Sequence, residues 1–299
     1  MIIGIKIDVD TERGTKIGVP NLVALLKMLE IPVTFLFSVG TDNTGRAIKR
    51  VFRRGFLRKV SRTSVVSTYG IRTLLNGVLV PGPHIGHKHQ IILQHVAAQG
   101  FEVGIHSYDH EKWQDGVAKM SQEQIEHEFD LAYQEFERIF GVKAKTAGAP
   151  GWQANARTLA VYDEFHLTYA SDCRGAYPFF PRILGTIFKT LQLPTTLPTI
   201  DELVGLPEFP LDKITDHYLS LLKEDAPNIM TVHAELEGMR YKDWFYNFLL
   251  ALKKQNVQFQ NLNTIAESYL TTREQIPVCE LINAEVPGRS GILAMQKKQ

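Results

Sequence analysis

The chain opens on an apolar run, Ile2, Ile3, Ile5 and Ile7, that ends at Asp8-Val9-Asp10. Side chains two apart on a strand share a face, so the spacing predicts a strand over residues 2–7 with both carboxylates aimed the same way at its carboxyl end. A polar turn is expected from Thr11 to Gly18. Pro20 then precedes Leu22, Leu25, Leu26 and Leu29 at helical spacing, and Ile31 to Val39 reads as a second strand. Strand, loop, helix, strand is the βαβ unit of a parallel sheet. The alternation returns later: a helix over 90–99 leads through Gly100 into a strand carrying Phe101, Val103 and Ile105. Ser121 and Asn155 stand where they can cap two helices. The first has the apolar face Ile125, Phe129, Ala132, Phe136 and Ile139 and a stop at Gly141, and the second runs to about Glu164. Further helices are expected over 212–223, 244–254 and 262–270, and strands over 169–172, 228–232 and 257–260. A proline-rich stretch from Pro178 to Pro210 predicts irregular backbone with room for a strand at 192–197. After Thr271 the pattern fades, which predicts a tail lying along the surface.

At 299 residues and 44% hydrophobic content the chain can bury a sizeable core. The two cysteines, Cys173 and Cys279, are too few for a disulfide framework or a cysteine metal site and favour a reducing compartment. No basic region with a long apolar segment precedes the first strand, and no stretch approaches the ~18 apolar residues of a membrane span. A cytoplasmic protein is expected. The formal net charge of +1 says nothing as a total, but its distribution does: the 59 residues from Asn43 to Phe101 contain no acid and ten Lys or Arg. Over 46–62 the charges Arg53, Arg54, Arg58 and Lys59 interleave with Ile48, Val51, Phe52, Phe56, Leu57 and Val60. That reads as a basic amphipathic helix able to lie on anionic headgroups or grip a phosphate, with a solvated basic face as the plainer alternative. No aromatic stacking pattern or nucleic-acid motif accompanies the charge, so no nucleic-acid partner is expected.

The chemistry gathers at strand ends. His106-Ser107-Tyr108-Asp109-His110 follows the third strand, and two imidazoles four apart can aim at one cation, although such a pair alone is more often packing or surface chemistry. Asp8 with Asp10 strengthens it, since one carboxylate can bind metal while the other handles protons. Asp172 and His233 also stand where an apolar strand gives way to a loop. In a βα barrel those ends converge on one face, where active sites sit.

Asp8-x-Asp10, His106-x-x-x-His110 and Thr231-Val232-His233 resemble the motifs of the polysaccharide deacetylase family, the NodB-homology fold. The resemblance implies a distorted barrel of seven or eight βα units over 1–270, with the basic insertion at about 41–90 and a C-terminal tail, 271–299, packed on it. It implies Asp8 as general base, Asp10, His106 and His110 as ligands of one divalent ion (Zn, Co, Ni, Mn or Fe), and His233 as general acid. Within the family, Asp8-Val9-Asp10-Thr11, Phe37-Ser38-Val39-Gly40, Ser171-Asp172-Cys173-Arg174-Gly175-Ala176 and His233-Ala234-Glu235-x-Glu237-Gly238 are similar to the branch that deformylates 4-deoxy-4-formamido-L-arabinose on undecaprenyl phosphate. A lipid-linked substrate, an anionic membrane partner, a peripheral place on the cytoplasmic face of the inner membrane, and a role in lipid A modification and cationic peptide resistance follow as expectations. Where the family has Arg-x-Pro, its arginine orienting the base, this chain reads Gly148-Ala149-Pro150; Arg13 and Arg174 are then the candidates to orient Asp8. Loop 148–152 offers N–H groups for an oxyanion, Trp152 a face for the sugar or for the core, and Asp172 or Glu235 a partner to fix a histidine tautomer, Asp172 serving equally as a loop cap. The rivals are a deacetylase of another N-acylated sugar and a noncatalytic lipid- or glycan-binding barrel.

Overall fold

The opening strand is the hub of the architecture. A computed structural model of the protein describes residues 1–47, 71–289 and 291–297. In chain order the strands are β1 (Ile2–Val9), β2 (Thr34–Ser38), β3 (Glu102–Ser107), β4 (Thr146–Ala147), β5 (Tyr169–Ala170), β6 (Phe180–Ile183), β7 (Thr186–Ile187), β8 (Leu191–Gln192), β9 (Asn228–His233), β10 (Gln258–Gln260), β11 (Val278–Glu285) and β12 (Ile292–Gln296). β9 pairs along one edge of β1. On the other edge β10 takes residues 2–4 and β2 takes residues 6–9, and the sheet continues through β3, β4, β5 and β8. Every pairing in this sheet is parallel. The chain just beyond β8 closes the ring, with Thr196 N–H donating to the Ile229 carbonyl at 2.9 Å.

β1 is buried on both faces, as parallel strands are. Ile3, Ile5, Ile7 and Val9 pack into the main apolar cluster with Leu22, Leu26, Phe245 and Leu249 from the surrounding helices. The alternate residues Lys6, Asp8 and Asp10 face the barrel interior. The helix Gln122–Phe140 begins at a Ser121 capping box and ends at Gly141 in the left-handed conformation (φ 70°), and Asn155 caps Ala156–Glu164. Both caps and their apolar faces are where the pattern put them.

Three expectations differ. The turn at Thr11–Gly18 is helical: Gly14–Gly18 forms a π-helical turn running into the helix Val19–Met28. The strand expected at 192–197 is only Leu191–Gln192. The tail, where the sequence pattern fades, holds two regular strands. β11 and β12 form an antiparallel hairpin that pairs with β6, making a second, four-stranded sheet with β7. That sheet is stitched to the barrel where Arg174 N–H donates to Ala294 O at 3.0 Å and Gln296 N–H to Arg174 O at 2.8 Å. Apart from Arg46 and Ala47, the basic helix expected over 46–62 lies outside the described residues, and with it Arg53, Arg54, Arg58 and Lys59. Among the described residues no helix is long and apolar enough to cross a membrane.

Candidate active site

Three elements bring one carboxylate and two imidazoles together. Asp10 follows β1. β2 and β3 slip register where Phe37 pairs with Ile105 and Ser38 with Ser107, leaving His106 as the extra residue, and such a bulge re-aims a side chain. Asp109 caps the helix His110–Gly116 by accepting from Lys112 N–H at 3.0 Å, which sets His110 at the helix's first position. Asp10 Oδ1 lies 3.2 Å from His106 Nε2 and 3.6 Å from His110 Nε2, and the ligand atoms of all three fall within 4.8 Å of one another.

Hydrogen bonds behind the rings fix their tautomers. A carbonyl can only accept, so His106 Nδ1 carries the proton it donates to Gly148 O at 2.6 Å, and His110 Nδ1 faces the Glu111 carboxylate at 3.3 Å. Both Nε2 atoms are thereby turned on Asp10 Oδ1, which is buried and without a hydrogen-bond partner among the described residues. Neutral imidazole lone pairs converging on a carboxylate oxygen need a cation, and one carboxylate with two imidazoles is a donor set that fits a divalent metal with positions to spare. Burial pushes the Asp10 carboxyl up, but positive charge on the facing imidazoles, His110 first and then His106 and His233, draws it well below the usual range, as a cation at this point would. A second group, His84, His87 and Glu135, has similar spacing. Its carboxylate is taken at both oxygens by Arg138, at 2.7 and 2.8 Å, which leaves less charge for an ion.

Asp8 and His233 are register partners on neighbouring parallel strands, so their side chains flank the same end of the barrel beside Asp10. Asp8 Oδ1 and His233 Nδ1 are both buried without hydrogen-bond partners among the described residues. A carboxylate and an imidazole on neighbouring strands thus keep an uncommitted atom each.

A model of the polysaccharide deacetylase family matches residues 10–170. The chain belongs to the polysaccharide deacetylase family. The protein is accordingly a hydrolase that acts on amide bonds. It is 36% identical over 296 residues, 98% of this chain and 94% of the relative, to a Shewanella sediminis (strain HAW-EB3) protein named "Probable 4-deoxy-4-formamido-L-arabinose-phosphoundecaprenol deformylase ArnD". A protein of the same name from Wigglesworthia glossinidia brevipalpis is 33% identical over 95% of this chain and 99% of its own length. The fold matches the crystal structure of a Mycobacterium smegmatis protein assigned to the polysaccharide deacetylases, with TM-score 0.65 at 16% identity over 95% and 94% of the two chains.

The structure redistributes the remaining candidate residues. Trp152 is 2% exposed, with the guanidinium carbons of Arg289 and Arg174 at 4.3 and 5.2 Å and Lys6 Nζ at 5.7 Å from the centroid of its ring. That leaves no open face for a sugar, and the core alternative is the one realised. Asp172 is buried, and among the described residues none of its hydrogen bonds goes to a histidine. Its Oδ1 accepts from Ala149 N–H at 2.7 Å and its Oδ2 from Gln192 at 2.9 Å, and burial pushes it up to about 6. Glu235 is likewise buried, accepting from the N–H groups of Asp10 and Thr11 at 3.2 and 2.9 Å and from the Thr11 hydroxyl at 2.7 Å; burial, then the charge of Asp10, pushes it up to about 8. The tautomers are set by Gly148 O and Glu111 instead. Arg174 is committed to Glu202 at 2.7 Å and to Leu197 O, and the cation on Asp8 is Lys6, with Nζ 3.2 Å from Oδ2. Arg13 is half-buried, with its Nε unpartnered among the described residues. The loop's N–H groups are mostly spent: Gly148 donates to Ile105 O, Ala149 to Asp172 and Trp152 to Ala149 O, and Pro150 has none. Those three cannot hold an oxyanion. Lys6 had a signal in the sequence, since it lies in step with Asp8 and Asp10 as the lone polar side chain within the opening isoleucine run.

Proposed function

We propose that the protein removes the N-formyl group of 4-deoxy-4-formamido-L-arabinose carried on undecaprenyl phosphate. The observation that carries the reading is the convergence of Asp10, His106 and His110 in a chain that aligns over nearly its whole length with relatives bearing that deformylase name. Asp10, His106 and His110 would hold one divalent ion of the Zn, Co, Ni, Mn or Fe class. Such an ion lowers the pKa of a water and polarises a carbonyl. Asp8 accepts the water's proton at Oδ1, the oxygen without a partner. His233, on the neighbouring strand, donates a proton to the departing nitrogen, so that the amine leaves neutral. Glu235 holds the Asp10–Thr11 backbone in place, and Asp172 holds the loop whose Gly148 carbonyl orients His106. Arg13 is the basic side chain near this end of β1 that remains to meet substrate anions. The acid-free stretch 43–101 brings the enzyme to the anionic cytoplasmic leaflet, where the lipid carrier resides. Its product would serve lipid A modification and resistance to cationic peptides.

The test is incubation of purified protein with the lipid-linked formamido sugar, with and without a chelator, and mass spectrometry for loss of the formyl group. Loss that the chelator abolishes and a divalent metal restores is the expected result. An intact formyl group beside a cleaved N-acetyl sugar would assign the protein to another substrate within the family.

A further inference from the structure

Lys6 has no exposed surface, and its Nζ lies 3.2 Å from Asp8 Oδ2 and 3.1 Å from the carbonyl oxygen of Ser171. An ammonium in a barrel interior is tolerated only where it is paired and hydrogen-bonded. This one is held from three directions, the third being the Trp152 ring. Gly148 contributes by lacking a side chain, because a Cβ there would come 3.3 Å from Nζ and 2.5 Å from Leu36 Cδ1. Lys6 engages one oxygen of Asp8 and leaves the other, Oδ1, buried and unpartnered among the described residues. A carboxylate with one oxygen anchored and one free has a fixed direction in which to take a proton.

We propose that Lys6 is the positioning residue of Asp8: by anchoring Oδ2 to an ammonium supplied from two residues earlier on the same strand, it fixes the plane of the carboxylate and reserves Oδ1 for the proton of the attacking water. The inference rests on the hydrolase reading above, in which Asp8 is the base. An anchor of this kind acts on turnover more than on substrate affinity, and it acts only through Asp8.

The test is steady-state kinetics on the lipid-linked formamido sugar, with the metal content and circular dichroism of each variant recorded. Lys6→Met is expected to keep its fold and bound metal, to hold KM within about threefold and to lose about a hundredfold in kcat. Lys6→Arg, which keeps the charge, is expected to recover about tenfold or more of that loss. Because Lys6→Met leaves Asp8 unpaired in the core, a Lys6→Met/Asp8→Asn double variant, which loses both charges together, is measured as well. Its kcat is expected to equal that of Asp8→Asn alone, since residues that act as a unit are not additive. A Lys6→Met enzyme within about threefold of wild-type kcat, or a double variant about tenfold or more slower than Asp8→Asn, overturns the proposal. A wild-type protein inert on the formamido sugar overturns the substrate reading instead, and the same variants are then compared on the N-acylated sugar the enzyme does cleave.

Discussion

His106 donates its Nδ1 proton to Gly148 O at 2.6 Å, and the next residue of that loop, Ala149, donates its N–H to Asp172 at 2.7 Å. Asp172 thus stands two steps from the proposed metal ligand His106. Asp172→Ala leaves the Ala149 N–H without its acceptor and frees the carbonyl that orients His106. Metal affinity is expected to fall by about 10- to 100-fold, read by competition against a chelator of known affinity. An unaltered metal Kd in a folded variant would show that the loop holds its shape without Asp172.

The proposed ligand set would also make stability depend on the ion. An ion bound to the folded state alone stabilises by about 2.7 kcal/mol at a hundredfold excess over Kd, worth several degrees in Tm for a chain of this size. Chelation is expected to lower the wild-type Tm by that amount, whereas His110→Ala, with the cage opened, responds little. Equal responses from both proteins would place the stabilising ion elsewhere.

Much of this arrangement is legible in the sequence. The isoleucine alternation, the caps at Ser121 and Asn155, and the strand ends at Asp8, His106 and His233 each rest on local rules of period and capping, and the fold keeps them. What was hidden is non-local. Lys6 reads as a lone polar residue until the barrel closes around it and brings Ser171 and Trp152 to its ammonium. β4, β5 and β8 have two residues each, too short for any periodicity to show. The hairpin β11–β12 is specified by β6 and Arg174, a hundred or so residues earlier, so its own sequence carries only a weak alternation. Trp152 and Glu235 look like ligand contacts beside catalytic motifs, and only burial assigns them to the framework.

Gly14 is where packing leaves no slack. A Cβ there would stand 1.9 Å from Glu235 Oε1, the oxygen that takes the N–H groups of Asp10 and Thr11. Gly14→Ala is expected to displace Glu235 and cost about 1–3 kcal/mol, lowering Tm, and to weaken metal binding through the loosened Asp10 backbone. Calorimetry and metal titration on one preparation check both effects. Wild-type values for each would mean that the carboxylate moves aside freely.

Glu237 is buried and accepts the His233 N–H at 2.9 Å. Burial pushes its carboxyl up from 4.5 to about 8. A raised folded-state pKa means that between those values the native state binds more protons than the unfolded chain, so this group's stabilisation is complete below pH 4.5 and is lost as pH rises through about 8. The slope is on the order of 1 kcal/mol per pH unit. Glu237→Gln removes the titration while keeping a hydrogen-bond acceptor. Thermal melts from pH 5 to pH 8.5 are expected to show wild-type stability falling more steeply than the variant's; parallel curves would mean that Glu237 titrates at its ordinary value in the fold.

The last prediction concerns charge that the sequence alone supplies. Arg53, Arg54 and Arg58 stand in a stretch of sequence that contains no acid, and a basic residue at an anionic surface contributes about 1 kcal/mol, screened by salt. Losing three such residues removes about 3 kcal/mol, or roughly a hundredfold in partitioning. Reversing them to glutamate doubles the change in charge and adds repulsion. The Arg53→Glu/Arg54→Glu/Arg58→Glu variant is expected to stay in the supernatant with vesicles containing anionic lipid, while the wild type sediments at low salt and is released as salt rises. Turnover of a detergent-solubilised or water-soluble substrate should change far less than turnover of the same sugar on its carrier in vesicles, because the residues proposed for the chemistry lie at the ends of β1, β3 and β9. Equal sedimentation of both proteins, or binding of the wild type to neutral vesicles just as strongly, would remove the electrostatic basis for membrane docking and leave the basic stretch a solvated face.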